Sequence, residues 1–513
     1  MLRLKELFAR VETRIFLVAW IFFTVHFATN IVREHYPAFS LVEQGNFQLD
    51  EYEGLHSDIF VHTDGHAYIC NQVGTSVLAA LPLLVFDPVL DALQRHSLAQ
   101  LEASGGEVDL TYESEYPGRQ RFYRLVREKG LDLRLGASAA ITSTFFMAPL
   151  CALAMILVFR VLSGRGIARR RAIQLAFLFG FGTPIFYRAG ILSGNFVLTL
   201  CVFASFLLIW RRPDEGAPVS TARRFWGGVL GGYGLVVDYA AAVSLPLLFG
   251  YLVFSRTRAV GLARASREAL PYFLGSLPPV FFLWFTQWAM FGDPFLPAQS
   301  HMPVVNFTDR GFRGFDWPDL DLFWMNLASP NYGLFPWAPI LALAFLPLLG
   351  LPNSARVLGK SERRFVWTYV ALFLLFCAAN QYARMQWNTG FRYLLTLNPF
   401  LFLLASDHLA RIPERIFWIA ALPALLHSWV MSQVRYTVGT MEEDVTGSSI
   451  AGTWQRFLED GVQLPWLNVL RQTKPEEHIV QWFGWPYLIL VTCVLVSLAI
   501  WSVSSRLERR LGV

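Results

Sequence analysis

Long apolar runs alternating with short polar ones are the dominant pattern in this chain. Runs near the roughly 20 mostly apolar residues that cross bilayer hydrocarbon fall at ~15–32, ~135–160, ~172–187, ~190–210, ~270–291, ~333–350, ~365–380, ~391–405, ~416–432 and ~486–505. The run at ~226–254 is too long for one upright helix. Its glycine pairs Gly227-Gly228 and Gly231-Gly232, with Asp238 and Pro246, predict two short passes joined near Asp238. The pattern predicts an all-α integral membrane protein of about 12 transmembrane helices, a single polytopic domain over 1–513. The first run lacks a small-residue cleavage site and is long for a signal-peptide core, so it reads as a retained helix.

Composition agrees: 54% of residues are hydrophobic, 16% charged, and mean hydropathy is +0.40, outside the range of a soluble domain. The net charge of +5 matters less than its distribution. Basic clusters at 3–14, 160–171, 211–224, 255–267, 356–364, 411–415 and 506–510 hold 26 of the 43 Lys and Arg. By the positive-inside rule these segments and both termini are cytoplasmic. Thr75 to Leu93 is apolar enough to span, but a crossing there would put Arg160 to Arg171 outside. Asp87, Pro88 and Asp91 also interrupt its end, so 75–93 reads as an interfacial helix at the outer leaflet. Residues 33–134 then form one large extracytoplasmic loop, with further ones at 292–332 and 433–485, the latter containing Arg435-Tyr436. Four of the five cysteines (Cys151, Cys201, Cys377, Cys493) sit in apolar runs and Cys70 stands apart, so no disulfide framework or metal-type cysteine spacing exists.

The loop 33–134 holds sixteen Asp and Glu against eight Lys and Arg. It opens with Arg33-Glu34-His35-Tyr36 and passes through Asp50-Glu51, Ser57-Asp58 and Asp64-Gly65-His66. An acidic, aromatic-rich loop among apolar segments is where a membrane enzyme keeps carboxylates. Histidines 56, 62 and 66 with Asp58 and Asp64 follow no zinc-ligand spacing and read as solvated turn residues. Later come Gly231-Gly232-Tyr233-Gly234-Leu235, Phe291-Gly292-Asp293-Pro294-Phe295, Tyr332-Gly333-Leu334-Phe335 and Gly390-Phe391-Arg392-Tyr393 followed by Pro399.

With the acidic first loop, these motifs resemble, in order and over most of the chain, the GT-C superfamily of membrane glycosyltransferases. Within it they resemble the bacterial branch of protein O-mannosyltransferases and the aminoarabinose transferase of lipid A. The resemblance implies a polyprenyl-phosphate-linked sugar as donor and a glycan, lipid or protein as acceptor on the extracytoplasmic face of the inner (plasma) membrane. It also implies a loop carboxylate as general base and basic side chains on the lipid phosphate. Nothing points to nucleic acid. Some relatives begin the loop with Asp-Glu where this chain has Arg33-Glu34, and carry an acid in the loop that here reads Tyr187-Arg188-Ala189-Gly190. No metal site is carried over; a divalent metal cofactor is left open, with no ligand set to hold it.

Sugar transfer requires an acceptor hydroxyl to lose a proton and a departing phosphate to be stabilised. The base candidates are Asp58, Asp50 and then Glu34, beside the first span. Their plain alternatives are solvated loop acids and, for Glu34, an interfacial partner of Arg33. Arg392, at the outer mouth of an apolar run where a guanidinium is costly without an anion, leads the phosphate-binding candidates ahead of Arg384 and Arg188. Ordinary snorkelling is the alternative. Asp238, an acid inside an apolar run, has either a functional task or the freed backbone of a broken helix to bind. A transporter or flippase of a lipid-linked or acidic solute is the rival function, and a non-catalytic membrane anchor the third.

Overall fold

The computed structural model describes residues 2–29, 32–106, 108, 117–211, 219–304, 309–349, 357–384, 390–433, 449–473 and 477–511. Helices dominate, and the one sheet among the described residues is a two-stranded hairpin. Arg435-Tyr436 lies outside the described residues. The chain divides into two units: Met1–Val32, Pro82–Leu192 and Pro413–Val513 form one, Arg33–Leu81 and Ser193–Ile412 the other.

Among the described residues, five helices are long and apolar enough to cross a membrane: Gly74–Ala103, Asp132–Gly164, Leu262–Phe291, Glu414–Gln433 and Trp485–Leu511. The last has a mean hydropathy of 2.2 with only 11% of its apolar window buried. Leu495 and Leu498 are each 61% exposed. A helix this apolar on its open faces is stable in hydrocarbon rather than in water.

In the first unit, Val11–Val25 packs against Ala148–Gly164 and Trp485–Leu511. Phe23, Phe181 and Phe186 fill the core, with ring centroids 5.0 Å apart for Phe23–Phe181 and for Phe181–Phe186. Arg14 reaches Glu508 at 2.5 Å, closing one end. In the second unit, Thr221–Val237 runs against Leu262–Phe291 at backbone contact. A Cβ on Gly228 would stand 1.9 Å from the Tyr272 carbonyl oxygen, and one on Gly275 2.1 Å from that of Phe225. Glycine here sets the helix separation. Phe206 stacks on Phe365 at 5.2 Å, and the fully buried Asp407 joins the Lys360–Ala379 helix to Asn398–Leu409 by pairing with Arg363.

Three expectations about the apolar runs change. The first helix stops at Val25, not near 32, because the Ala28 amide donates to the Gly190 carbonyl at 2.8 Å instead of continuing the helical ladder. The run at 333–350 is a four-residue helix, Leu334–Trp337, followed by a 3₁₀ segment, Pro339–Leu349. Pro339 and Pro347 supply no amide hydrogens to an α-helical ladder there. Asp87, Pro88 and Asp91 do not end the 75–93 helix, which runs from Gly74 to Ala103. Both acids are drawn to the buried Arg134, Asp91 at 3.0 Å and Asp87 at 3.7 Å, and the helix carries through its prolines. The break near Asp238 is present: Thr221–Val237 ends there and Ala241–Val260 begins three residues later.

Candidate functional site

The segment 33–81 folds as a short helix, His35–Glu43, a 3₁₀ turn, Asp50–Tyr52, and the hairpin. Ile59–Val61 pairs antiparallel with Ala67–Ile69, placing Ile59 opposite Ile69 and Phe60 opposite Tyr68. Gly65, at φ +90°, makes the tight reversal that a side chain would resist. The hairpin puts residue 58 beside residue 71. The Cys70 amide donates to the Asp58 carbonyl at 2.9 Å, and Asn71 Nδ2 donates to Asp58 Oδ2 at 2.8 Å.

Arg33 completes this corner. Its Nη1 donates to Asp58 Oδ2 at 3.0 Å and its Nη2 to Glu34 Oε1 at 2.6 Å, so one guanidinium holds two carboxylates. The Asp58 amide donates to His56 Nδ1 at 3.0 Å, which leaves the neutral ring's proton on Nε2. Burial lowers the His56 ring's pKa below its ordinary value against the pull of Asp58. Burial alone would raise the Asp58 carboxyl. The His56 ring once it is protonated in acid, the Arg33 guanidinium and the hydrogen bonds from Arg33 and Asn71 outweigh it and hold the group at about 2. Asp58 is thus ionised but, in this state, a weak proton acceptor.

Glu34 lies deeper, with its side chain 6% exposed. Ser76 Oγ is 3.5 Å from its Oε2, and a Cβ on Gly194 would come within 3.3 Å of Thr75 Oγ1 and 3.8 Å of Glu34 Oε1. The helices Gly74–Ala103 and Gly194–Ile209 therefore both start beside this carboxylate, where the partial positive charge of helix N-termini favours an anion. The broken helix closes on the same place. A Cβ on Gly74 would stand 2.4 Å from the Val236 carbonyl oxygen, and Tyr233 donates its hydroxyl to the Gly74 carbonyl at 2.8 Å. Asp238 accepts from the Ala240 amide at 2.8 Å and from Asn195 Nδ2 at 3.4 Å. It satisfies the freed backbone and also feels Arg33, Arg392 and Glu34. Arg392 precedes the 3₁₀ segment Tyr393–Leu397, lies 5.6 Å over the Tyr393 ring, and is within electrostatic reach of Arg33, Asp58 and Asp238.

Within the second unit the structure brings Asp58, Glu34, Asp238 and Arg392 together and leaves Asp50 and Arg384 elsewhere. Asp50 is at the far end of the hairpin, accepting from the Ala67 amide at 2.6 Å and facing His66 Nδ1 at 2.9 Å. That backbone bond, then the His66 bond, lowers its pKa. Arg384 is committed to Asp319 and Gln381. Arg188 belongs to the first unit, where it is 1% exposed in the short helix Ile185–Ala189. Sequence reasoning missed the two-carboxylate role of Arg33 and the contributions of His56, Asn71 and Asn195. The only signal was the adjacency of Arg33 to Glu34; nothing in the sequence marks the two asparagines. Among the described residues, no three His, Cys, Asp or Glu side chains converge as metal ligands. No family model, curated protein or solved structure matches the chain.

Proposed function

We propose that this membrane protein is a GT-C-type glycosyltransferase that moves a sugar from a polyprenyl-phosphate donor to an extracytoplasmic acceptor. The observation that carries the reading is one guanidinium, Arg33, bridging Asp58 and Glu34 within electrostatic reach of Arg392. A donor phosphate is attracted to Arg33 and Arg392, whose planar forks suit phosphate oxygens. As Arg33 turns toward that phosphate, its hold on Asp58 weakens and the carboxylate gains proton affinity. Asp58 then accepts the proton of the acceptor hydroxyl as it attacks the sugar's anomeric carbon. The bond from that carbon to the phosphate oxygen breaks, and the guanidiniums stabilise the departing phosphate. Glu34, with its helix starts and Ser76, positions Arg33.

On this reading both termini are cytoplasmic, and 33–134 lies outside a bacterial inner membrane. A cysteine placed at Gly105 should label from outside in intact cells, and one at Arg170 only after permeabilisation. Labelling of the Gly105 site only after permeabilisation would mean that the Gly74–Ala103 helix crosses the bilayer.

Purified protein given a panel of polyprenyl-phosphate sugars should transfer one of them, and Arg392→Ala should weaken donor use with folding retained. Arg392→Lys should recover part of that loss, since a point charge cannot copy the fork. Absence of transfer across the panel, with flux of a lipid-linked or acidic solute in proteoliposomes, would favour a transporter. The specific feature on that side is Asp238 at the break between Thr221–Val237 and Ala241–Val260, since transporters bind solutes at broken helices.

A further inference from the structure

Where Thr221–Val237 and Leu262–Phe291 meet near their N-terminal ends, the surface holds a groove of about 400 Å³. Thr221, Phe225, Trp226, Arg267, Leu270 and Leu274 line it. The seam beyond it is closed by the backbone contacts at Gly228 and Gly275, so the bulky side chains flank the groove instead of filling it. Trp226 is 58% exposed, Leu270 49% and Leu274 47%. Leu270 and Leu274 belong to a helix of membrane-spanning length, Leu262–Phe291, and Trp226 stands on the helix packed against it.

The groove is amphipathic. One guanidinium and one hydroxyl accompany aromatic and aliphatic walls. The neighbouring arginines are committed: Arg224 donates to the Glu268 and Val219 carbonyls, each at 2.7 Å, Arg223 to the Leu207, Leu208 and Trp210 carbonyls. Arg256 and Arg264 hold the Glu268 carboxylate at 3.3 and 3.5 Å. Arg267 is exposed and makes no ion pair among the described residues.

We propose that this groove binds an acidic phospholipid of the surrounding bilayer. Arg267 takes the headgroup phosphate, Thr221 hydrogen-bonds it, and an acyl chain lies along Phe225, Trp226, Leu270 and Leu274. Basic pockets between membrane helices bind anionic headgroups in this way, and tryptophan suits the headgroup level. An acidic lipid fits better than a zwitterionic one, because Arg267 brings a positive charge to the groove lining and no carboxylate among the described residues lines it to offset that charge. The nearby one, Glu268, is already held by two arginines. The inference rests on the protein lying in a bilayer and not on sugar transfer.

The test uses full-length protein in phosphatidylcholine nanodiscs that carry brominated phosphatidylglycerol or, at equal mole fraction, brominated phosphatidylcholine. Subtracting the signal of Trp226→Phe isolates Trp226 from the other tryptophans. Phosphatidylglycerol should quench Trp226 more strongly. Arg267→Ala should weaken that preference about fivefold, the scale of one basic residue beside an anionic surface. Arg267→Lys should retain most of it and provides the comparison if the alanine variant folds poorly. Arg258→Ala, which removes a charge outside the groove, should leave the preference intact. Equal quenching by the two lipids would overturn the proposal. So would an equal loss in Arg258→Ala, which would reduce the effect to bulk surface charge. Loss of the preference on adding inorganic phosphate would also overturn it, because the site would then read phosphate alone.

Discussion

The two ends of the hairpin in segment 33–81 carry aspartates in opposite situations. At one end Asp50 is bound by the Ala67 amide and faces an exposed histidine. At the other, Asp58 is bound by Arg33 and Asn71 and faces a half-buried one. Both carboxyls are more acidic than an ordinary aspartate, yet for different reasons. A backbone amide is fixed by the strand it belongs to, so the hold on Asp50 cannot be transferred to a ligand. A guanidinium sits on a long side chain and can be won over by a stronger anion. A lowered pKa therefore marks an adaptable site only when the group that lowers it can move.

The largest contrast should appear in sugar transfer. On the proposed mechanism Asp58→Asn loses roughly 10²–10⁴-fold in rate, the usual contribution of a general base, while Asp50→Asn keeps nearly all of it. Rates are to be compared at equal folded amounts, with Glu34→Gln as a third arm. Near-normal activity in all three would remove the acid–base mechanism from this loop, and a loss in Asp50→Asn alone would reverse the comparison.

The next effect is on stability. Arg33→Ala leaves Glu34 and Asp58 close together without their shared cation, a loss of about 3 kcal/mol by analogy with broken partly buried pairs. Denaturant unfolding of the purified protein measures it. Arg33→Ala combined with Asp58→Asn should recover part of the loss, because the neutral amide no longer needs a counter-charge. Full additivity of the two substitutions would mean that the ion pair is not coupled to the fold.

A somewhat smaller signal comes from acid. The folded-state Asp58 value of about 2 lies below the unfolded one, so the group's stabilisation is present above the ordinary carboxylate range. It is lost as pH falls toward 2, and amounts to about 2 kcal/mol. Asp58→Asn should flatten this arm of the stability–pH curve, whereas Asp50→Asn should leave it nearly unchanged.

The smallest effect belongs to the exposed end. Asp50→Asn should cost less than about 1 kcal/mol, since solvent screens the pair and the amide oxygen can still accept from Ala67. The His66 ring is raised above 6.5, first by its hydrogen bond to Asp50. Its contribution is present at low pH and fades as pH rises through the raised value. Ring titration by NMR should show His66 returning toward 6.5 in Asp50→Asn.

Much of this architecture was legible without coordinates. Apolar runs mark where helices form because hydropathy is summed along a local stretch. The glycines and Asp238 in the 226–254 run mark the helix break because backbone freedom and an acid's hydrogen bonding are also local. Glu34 and Arg392 stand out as charges beside apolar runs, where an ion needs a partner, whereas Asp58 stands out through the family resemblance alone. Local rules also account for the errors. Asp87, Pro88 and Asp91 look like a helix stop only until Arg134, more than forty residues on, is seen to gather both acids. The run at 333–350 has the hydropathy of a span, and hydropathy does not distinguish α from 3₁₀ winding. Tertiary structure alone decided that Arg33 serves two carboxylates and that Asn71 reaches Asp58 across a hairpin. It also decided that two helix starts meet at Glu34, and that Asp50 is held by a strand amide. Each of these depends on a pairing between distant residues. Chain entropy opposes every such pairing, and only the completed packing of the unit selects among them.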